Sequence, residues 1–299
     1  MKDRDVRSQL GLWLAIGGLW VLFACAGCGS APEERPTARP TGQLRQMDLS
    51  ELRDRIVANG GRFWSLTADC DVVLRSPAIP LVPPEIQLSG TLELRKPGKV
   101  HVVLGSPKAP AIELIGDGKN YVVRMRTAQD TPPYGGEYGA ELMPVPGRIH
   151  FVPEDLSDAL EPEGLFAGAA QVLRAYPAGW NVFAGSFTKP LDDVAAWHID
   201  SLAITEQPKP AIRLVNSITI DGLTEQIIRI DKFRWDGSLR TRIWFCNTTP
   251  VPVADTTVEI PSEIMLWYPP PLEDTMVYLR LKKIKVNVEI PDTTFTLTE

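Results

Sequence analysis

Cysteine, histidine and carboxylate are the side chains through which this chain could do covalent, proton-transfer or metal chemistry, and the first two are scarce: four cysteines and three histidines in 299 residues. Cys25 and Cys28 have the Cys-x-x-Cys spacing of a redox or zinc pair, but that chemistry needs the pair at a helix start inside a folded domain. Here the pair follows an apolar run close to the amino terminus, which argues against it. Cys70 and Cys246 lie in strand patterns, and an oxidising compartment would let them form a disulfide if the fold brought their Cα atoms within roughly 4.4 to 6.8 Å. His101 and His198 sit in strand patterns and His150 beside a proline-rich segment, so each reads as structural. Asp69 and Asp71 flank Cys70 at a spacing that could hold a cation, although a solvated polar strand face explains them better. The templates His-Glu-x-x-His, Gly-x-Ser-x-Gly, Gly-x-Gly-x-x-Gly and the phosphate-binding Gly-Lys-Ser/Thr loop are absent, so neither an enzyme nor a metal or other cofactor is expected.

Composition agrees with that restraint. Apolar residues make up 44% of the chain, enough for a substantial core, and the net charge of −6 leaves no basic footprint for a polyphosphate backbone. Nucleic acid is therefore not an expected partner.

The amino terminus carries a compartment signal. Lys2, Arg4 and Arg7 precede an apolar stretch from Leu10 to Ala24, whose fifteen residues span only about 22 Å as a helix, short of the roughly 30 Å hydrocarbon core of a membrane. This is the layout of a signal peptide. It ends in Leu22-Phe23-Ala24-Cys25-Ala26-Gly27-Cys28-Gly29-Ser30, which resembles the cleavage site of a bacterial lipoprotein. Cys28, with Ala26 and Gly27 before it, is the favoured lipidated residue; Cys25, which has Leu22 at the right distance but bulky Phe23 behind Ala24, is the alternative. The resemblance implies a signal peptide over residues 1–27, a lipid anchor on Cys28 as the only covalent group, and a tether over residues 28–43 that is rich in proline and poor in large apolar side chains. Gly29, where an acidic residue is the familiar retention signal, points to the outer membrane, with inner-membrane retention as the other outcome.

Beyond the tether the pattern changes from helix to strand. Met47, Leu49, Leu52, Ile56 and Val57 recur at helical spacing, with Asp48 or Ser50 as cap and Gly60-Gly61 as stop. From Trp64 to Arg75 apolar and polar residues alternate, and further strands are expected over Glu85–Arg95, Val100–Leu104, Ala111–Ile115 and Tyr121–Arg126, with Gly90 suggesting a bend or bulge. Residues 127–149 are rich in Pro and Gly. Pro153–Leu160 and Glu163–Tyr176 look helical, the latter through a stripe of Leu165, Phe166, Ala169, Val172 and Leu173. Six more strands follow, over Ala196–Thr205, Ile212–Ile220, Glu225–Trp235, Ser238–Asn247, Thr257–Trp267 and Met276–Val288, with Asp236-Gly237 as a hairpin turn. About eleven antiparallel strands with two helical regions predict a mainly β, strongly curved sheet wrapped around helices, in one domain over residues 44–299.

Three stretches carry a likeness to a known family: Trp64-Ser65-Leu66-Thr67-Ala68 entering a strand after an amphipathic helix, Leu88 to Val100 followed by Leu114-Ile115-Gly116-Asp117-Gly118-Lys119, and Ile284-Lys285-Val286-Asn287-Val288-Glu289-Ile290-Pro291-Asp292 with Phe295 near the end. In this order they resemble the LolA/LolB-like carriers of bacterial lipoproteins. The resemblance implies an unclosed antiparallel barrel with helices covering its mouth, and binding of the acyl chains of lipids or lipoproteins on the concave apolar face, without covalent chemistry. The alternating strands nominate Trp64, Leu66, Leu88, Leu92, Val102, Leu114, Val123, Ile228, Ile230, Trp244, Ile264 and Leu266 as lining residues, each also readable as ordinary core. A competing expectation is an envelope scaffold whose barrel is filled by its own helices. It would bind a protein partner through its edges or through Met265-Leu266-Trp267-Tyr268-Pro269-Pro270-Pro271-Leu272.

Overall fold

The computed structural model describes residues 47–76, 85–106, 109–126, 132–140, 150–166, 170–179, 193–205, 211–270, 272 and 274–297. Cys25, Cys28, the signal peptide and the tether to residue 43 lie outside the described residues. Helix α1 (Leu49–Gly60) begins where Asp48 Oδ1 accepts the Glu51 N–H at 2.8 Å, and it stops at the glycine pair. The long alternating segment then becomes β1 (Ser65–Arg75), with Leu66, Ala68, Cys70, Val72 and Leu74 buried on one face.

A meander follows: β2 (Glu85–Arg95), β3 (Lys99–Ser106), β4 (Ala109–Asp117), β5 (Asn120–Met125) and the short β6 (Tyr134–Glu137). Gly90 makes no bulge. It pairs in register with Cys70 and Leu104, and a Cβ there would sit 1.8 Å from the Val103 carbonyl oxygen, so glycine is what lets β3 approach. After α2 (Pro153–Leu160) and a 3-10 turn (Pro162–Phe166) come β7 (Ala170–Gly179), β8 (Asp193–Thr205), β9 (Ala211–Asp221), β10 (Ile227–Phe233), β11 (Leu239–Val253), β12 (Thr256–Tyr268) and β13 (Thr275–Val286).

The strands number thirteen rather than about eleven. One addition is β6, inside the Pro/Gly-rich stretch. The other is β7, where the stripe from Leu165 to Leu173 predicts helix; a ten-residue ladder from Ala170–Leu202 to Gly179–Asp193 overrides that local preference. Leu173 packs on the core while Val172 beside it is exposed, which is a period of two.

All thirteen strands form one antiparallel sheet in the order β6-β5-β4-β3-β2-β1-β13-β12-β11-β10-β9-β8-β7. The first strand pairs with the last, through Leu66–Val286 to Arg75–Met276. Asn287, at φ 58°, follows β13 and accepts the Trp64 N–H at 2.9 Å, which fixes the entry to β1. β6 and β7 are successive strands at opposite edges, so the barrel is unclosed and the chain between them carries α2 across the inner face. Helix α2 accordingly touches β3 and β4 on one side and β11 and β12 on the other. Its Leu156, Ala159 and Leu160 share a core with Val100, Val102, Leu114, Ile264 and Leu266.

Two polar knots hold the helices in place. Under α2, Lys232 Nζ on β10 donates to Glu154 Oε1 at 2.8 Å, to Asp155 Oδ1 at 2.9 Å and to Asp158, while Arg240 Nη2 on β11 donates to Glu154 Oε2 at 2.9 Å. Three carboxylates sharing two cations cannot all keep ordinary acidity. Burial favours the neutral form of Glu154, but Lys232 and Arg240 outweigh it and bring its pKa to about 2. For Asp158 burial prevails and the pKa rises.

The second knot joins α1, the 3-10 turn and the β2–β3 turn. Lys96 Nζ donates to the Gly60 carbonyl at 2.8 Å and to Glu163, and it lies 3.8 Å from the Phe63 ring centroid. Glu161 accepts from Gly98 N at 3.1 Å and from Ser157 Oγ at 3.1 Å. Burial still lifts its pKa to about 7, against the opposing pull of Lys96 and these donors.

Each knot has a measurable consequence. Lys232→Met strands the carboxylates of α2 without their main cation, and should lower unfolding stability in urea by about 3–5 kcal/mol. A loss below about 1 kcal/mol would contradict the account. For Glu161 the folded protein holds its proton more tightly than an unfolded glutamate near 4.5, so stability falls as pH rises from about 4.5 to 7 and levels off above. Glu161→Gln keeps the acceptor for Gly98 and Ser157 and abolishes that slope, so its stability relative to wild type should improve between pH 5 and pH 8, by at most about 3 kcal/mol. Parallel pH profiles of the two proteins would refute this assignment.

Candidate functional site

The sheet's inner face is filled unevenly. Along β1 to β5 the side chains of Leu66, Leu92, Val102, Leu114 and Val123 have no solvent exposure and belong to one continuous core with α2. Across β10 to β12 the packing leaves a cavity of about 300 Å³. Its apolar walls are Ile56 and Phe63 from α1 and the residues after it, Ala159 and Leu160 from the end of α2, and Ile227, Phe245 and Ile260 from the sheet. Its rim is polar: Arg55, Asn59, Glu225, Gln226, Thr248 and Glu259.

The elements around the cavity are anchored at its rim. Asn59 and Glu259 exchange hydrogen bonds, Asn59 Nδ2 donating to the Glu259 carbonyl at 3.0 Å and Glu259 N donating to Asn59 Oδ1 at 3.1 Å. Arg62 Nη1 donates to the Thr257 carbonyl at 2.6 Å. These contacts tie the end of α1 to β12. At Gly60 a Cβ would fall 2.3 Å from the Glu163 carboxylate, so a larger residue there would push that carboxylate aside where α1 meets the 3-10 turn.

The nominated lining residues are placed elsewhere. Leu66, Leu92, Val102, Leu114, Val123, Ile230, Ile264 and Leu266 are packed core, and Leu88 is a half-buried neighbour of it. Trp64, just before β1, is 45% exposed. Trp244 lies on the other face of β11, stacked on Trp267 with centroids 6.2 Å apart, while Phe245 beside it reaches the cavity. Ile228 sits at the bulge between Ile227 and Arg229, outside the main core, and Ile227 takes the position on the cavity. None of the nominated residues is among those that line it. The choice at β11 and β10 is off by one residue, and in a strand that reverses the face.

Cys70 and Cys246 are not joined in a disulfide. They stand on β1 and β11 with β13 and β12 between, three strand spacings of about 4.8 Å each, well beyond bridging reach. Burial, with Asp71 and Asp69 adding to it, pushes the Cys70 thiol up to about 12, so it is unreactive. Asp71 is paired with Lys282, and Asp69 Oδ2 lies 2.8 Å from Lys283 Nζ, which accounts for both carboxylates as strand-face ion pairs.

Two of the histidines have hydrogen-bond partners. On the outer face His101 Nδ1 is 3.0 Å from Glu93 Oε2 and its Nε2 is 3.4 Å from Glu113 Oε1; burial opposes its charged form, but the two carboxylates together raise its pKa. His198 Nδ1 lies 3.2 Å from Thr219 Oγ1. Burial, then Arg234, lowers the pKa of His150. Among the described residues no histidine or cysteine lines the cavity, and no cluster of three or more His, Cys, Asp or Glu could hold a metal ion. The arrangement offers apolar volume with a polar rim, which is a binding chemistry.

Residues 265–272 do not form an exposed aromatic loop. Met265, Leu266, Tyr268 and Leu272 are fully buried, and the Tyr268 hydroxyl accepts the Val152 N–H at 3.4 Å beneath α2.

No family model matches the chain, and no curated protein does. Solved structures resemble it. It is similar to a putative outer membrane lipoprotein-sorting protein domain from Vibrio parahaemolyticus, at 12% identity and a TM-score of 0.49 over 82% of this chain and 94% of that one. It is similar also to a DUF1329 family protein from Desulfovibrio piger, at 10% identity and a TM-score of 0.46, covering 84% and 98%. A LolA superfamily protein from Nitrosomonas europaea is 11% identical, with a TM-score of 0.46 and coverage of 82% and 97%. These are likenesses of fold alone.

Proposed function

We propose that the protein is a non-catalytic envelope lipoprotein that takes up an acyl chain of a lipid or lipoprotein in the cavity beside α1. It is anchored through a lipid on Cys28, or on Cys25 if cleavage falls earlier, and faces the periplasm from the outer membrane. The observation that carries this reading is the unfilled apolar volume bounded by Ile56, Phe63, Leu160, Ile227, Phe245 and Ile260. Burial of an acyl chain is driven by area, at roughly 25 cal/mol per Å², and asks for little polar geometry. Sorting lipoproteins or passing lipid to the outer membrane is the role such binding would serve.

The solid core under β1 to β5 favours a second reading, a scaffold that binds a protein partner and carries nothing. One experiment separates the two. Native mass spectrometry of residues 44–299 purified from cells should find bound acyl-containing mass, and Ile227→Trp, which fills the cavity from its wall, should remove it while the circular dichroism spectrum stays that of the wild type. An empty wild-type protein that stays empty after incubation with an acylated lipoprotein would favour the scaffold.

A further inference from the structure

The cavity mouth has a feature that a plain apolar store does not need. Arg55 on α1 projects across the rim and pairs with Glu225, which comes from the turn joining β9 to β10. Among the described lining residues Arg55 is the one cation, and its Nη2 also lies 2.9 Å from Glu51 Oε1 one helical turn back. Glu225 has φ 58°, a left-handed conformation that a glutamate rarely adopts. The turn enforces it: Asp221 Oδ1 accepts the Leu223 N–H at 2.7 Å, and Glu225 N donates to the Asp221 carbonyl at 2.8 Å. Strain of this kind gathers at ligand clamps and needs surrounding structure to hold it.

The pair is not what secures α1. That work falls to Asn59 with Glu259 and to Arg62 with Thr257, so Arg55 and Glu225 can part without freeing the helix. A partly exposed ion pair is weak and opens readily, and a guanidinium accepts a carboxylate or a phosphate with two parallel hydrogen bonds. Volume points the same way. A methylene fills about the space of a water molecule, roughly 30 Å³, so about 300 Å³ holds about ten carbons, the equivalent of one acyl chain whose remainder extends through the open mouth.

Resting on the reading of the cavity as an acyl-chain site, we infer that the ligand is an amphiphile with a single acyl chain in the cavity and an anionic carboxylate or phosphate head. That head displaces Glu225 and binds Arg55. The Arg55–Glu225 pair is then the clasp of the empty state.

The test uses the full chain in phosphatidylcholine nanodiscs, photocrosslinked with diazirine analogues of dodecanoate, dodecyl phosphate and dodecanol and read by intact mass and peptide mapping. Dodecanoate, dodecyl phosphate or both should label the cavity walls with half-saturation about tenfold below that of dodecanol. Whichever anion is preferred identifies a free fatty acid or a phosphate headgroup as the source. Arg55→Gln should bring anion and alcohol within about twofold of each other, while Glu225→Gln should tighten the anion several-fold and leave the alcohol unchanged. Equal labelling by alcohol and anions in the wild type, or an anion preference that survives Arg55→Gln or ignores Glu225→Gln, overturns this inference and leaves the acyl-chain reading standing. Absence of cavity labelling by all three probes overturns both.

Discussion

Two successive strands, β6 and β7, lie at opposite edges of a thirteen-stranded sheet, and this one topological constraint governs the rest of the molecule. Because β1 pairs with β13, the chain walks outward from β1 to β6, must return across the whole sheet, and then walks inward from β7 to β13. The returning segment carries α2. A curved sheet with an apolar inner face has to be covered, and here its own connection does the covering. The helix over the mouth is a consequence of strand order.

Where α2 lies then decides where space is left. Its buried face, Leu156 with Ala159 and Leu160, meets β3, β4, β11 and β12 and shares one core with the inner residues of β1 to β5. Beyond Leu160 the 3-10 turn and Gly60 come together, and α1 bridges only part of the distance to β10–β12. The cavity is the corner that two short helices cannot reach. Its walls combine residues at helix ends and at the β10 bulge with Ile56 of the α1 stripe and Ile260 of the alternating β12.

That explains which parts of the molecule could be read from the sequence. Strands such as β1, with Leu66 to Leu74 alternating against Thr67 to Val73, announce themselves because a half-buried strand has a strict period of two. Helix α1 was legible through its Asp48 cap and glycine stop. β7 was not: its residues carry a helical stripe and become strand only because β8 offers a ladder. The cavity residues failed for a subtler reason. A register shift in β10 between Ile227 and Arg229 alters parity where the cavity lies, so Ile228 looks inward on paper while Ile227 does so in the fold; in β11 the run Ile243-Trp244-Phe245 is apolar on both faces, so alternation does not choose between Trp244 and Phe245. A bulge is a long-range property of strand pairing, and local sequence does not display it.

The charges beneath α2 fit the same logic. Buried ion pairs add little net stability compared with well-packed apolar groups, and their cost is desolvation. An apolar helix lying on an apolar sheet has many nearly equivalent positions, whereas Glu154, Asp155 and Asp158 meet Lys232 and Arg240 in only one. The ionic contacts thus define where α2 stops, and with it the closed wall of the cavity at Ala159 and Leu160. The opposite wall is held by the Asn59–Glu259 and Arg62–Thr257 hydrogen bonds and by Lys96 on the Gly60 carbonyl, while the partly exposed pair of Arg55 with Glu225 closes only the rim. On the acyl-chain reading proposed above, a ligand would enter past the rim at Arg55 and Glu225, whose partly exposed pair is cheap to open, and rest against α2, whose buried ion pairs are not.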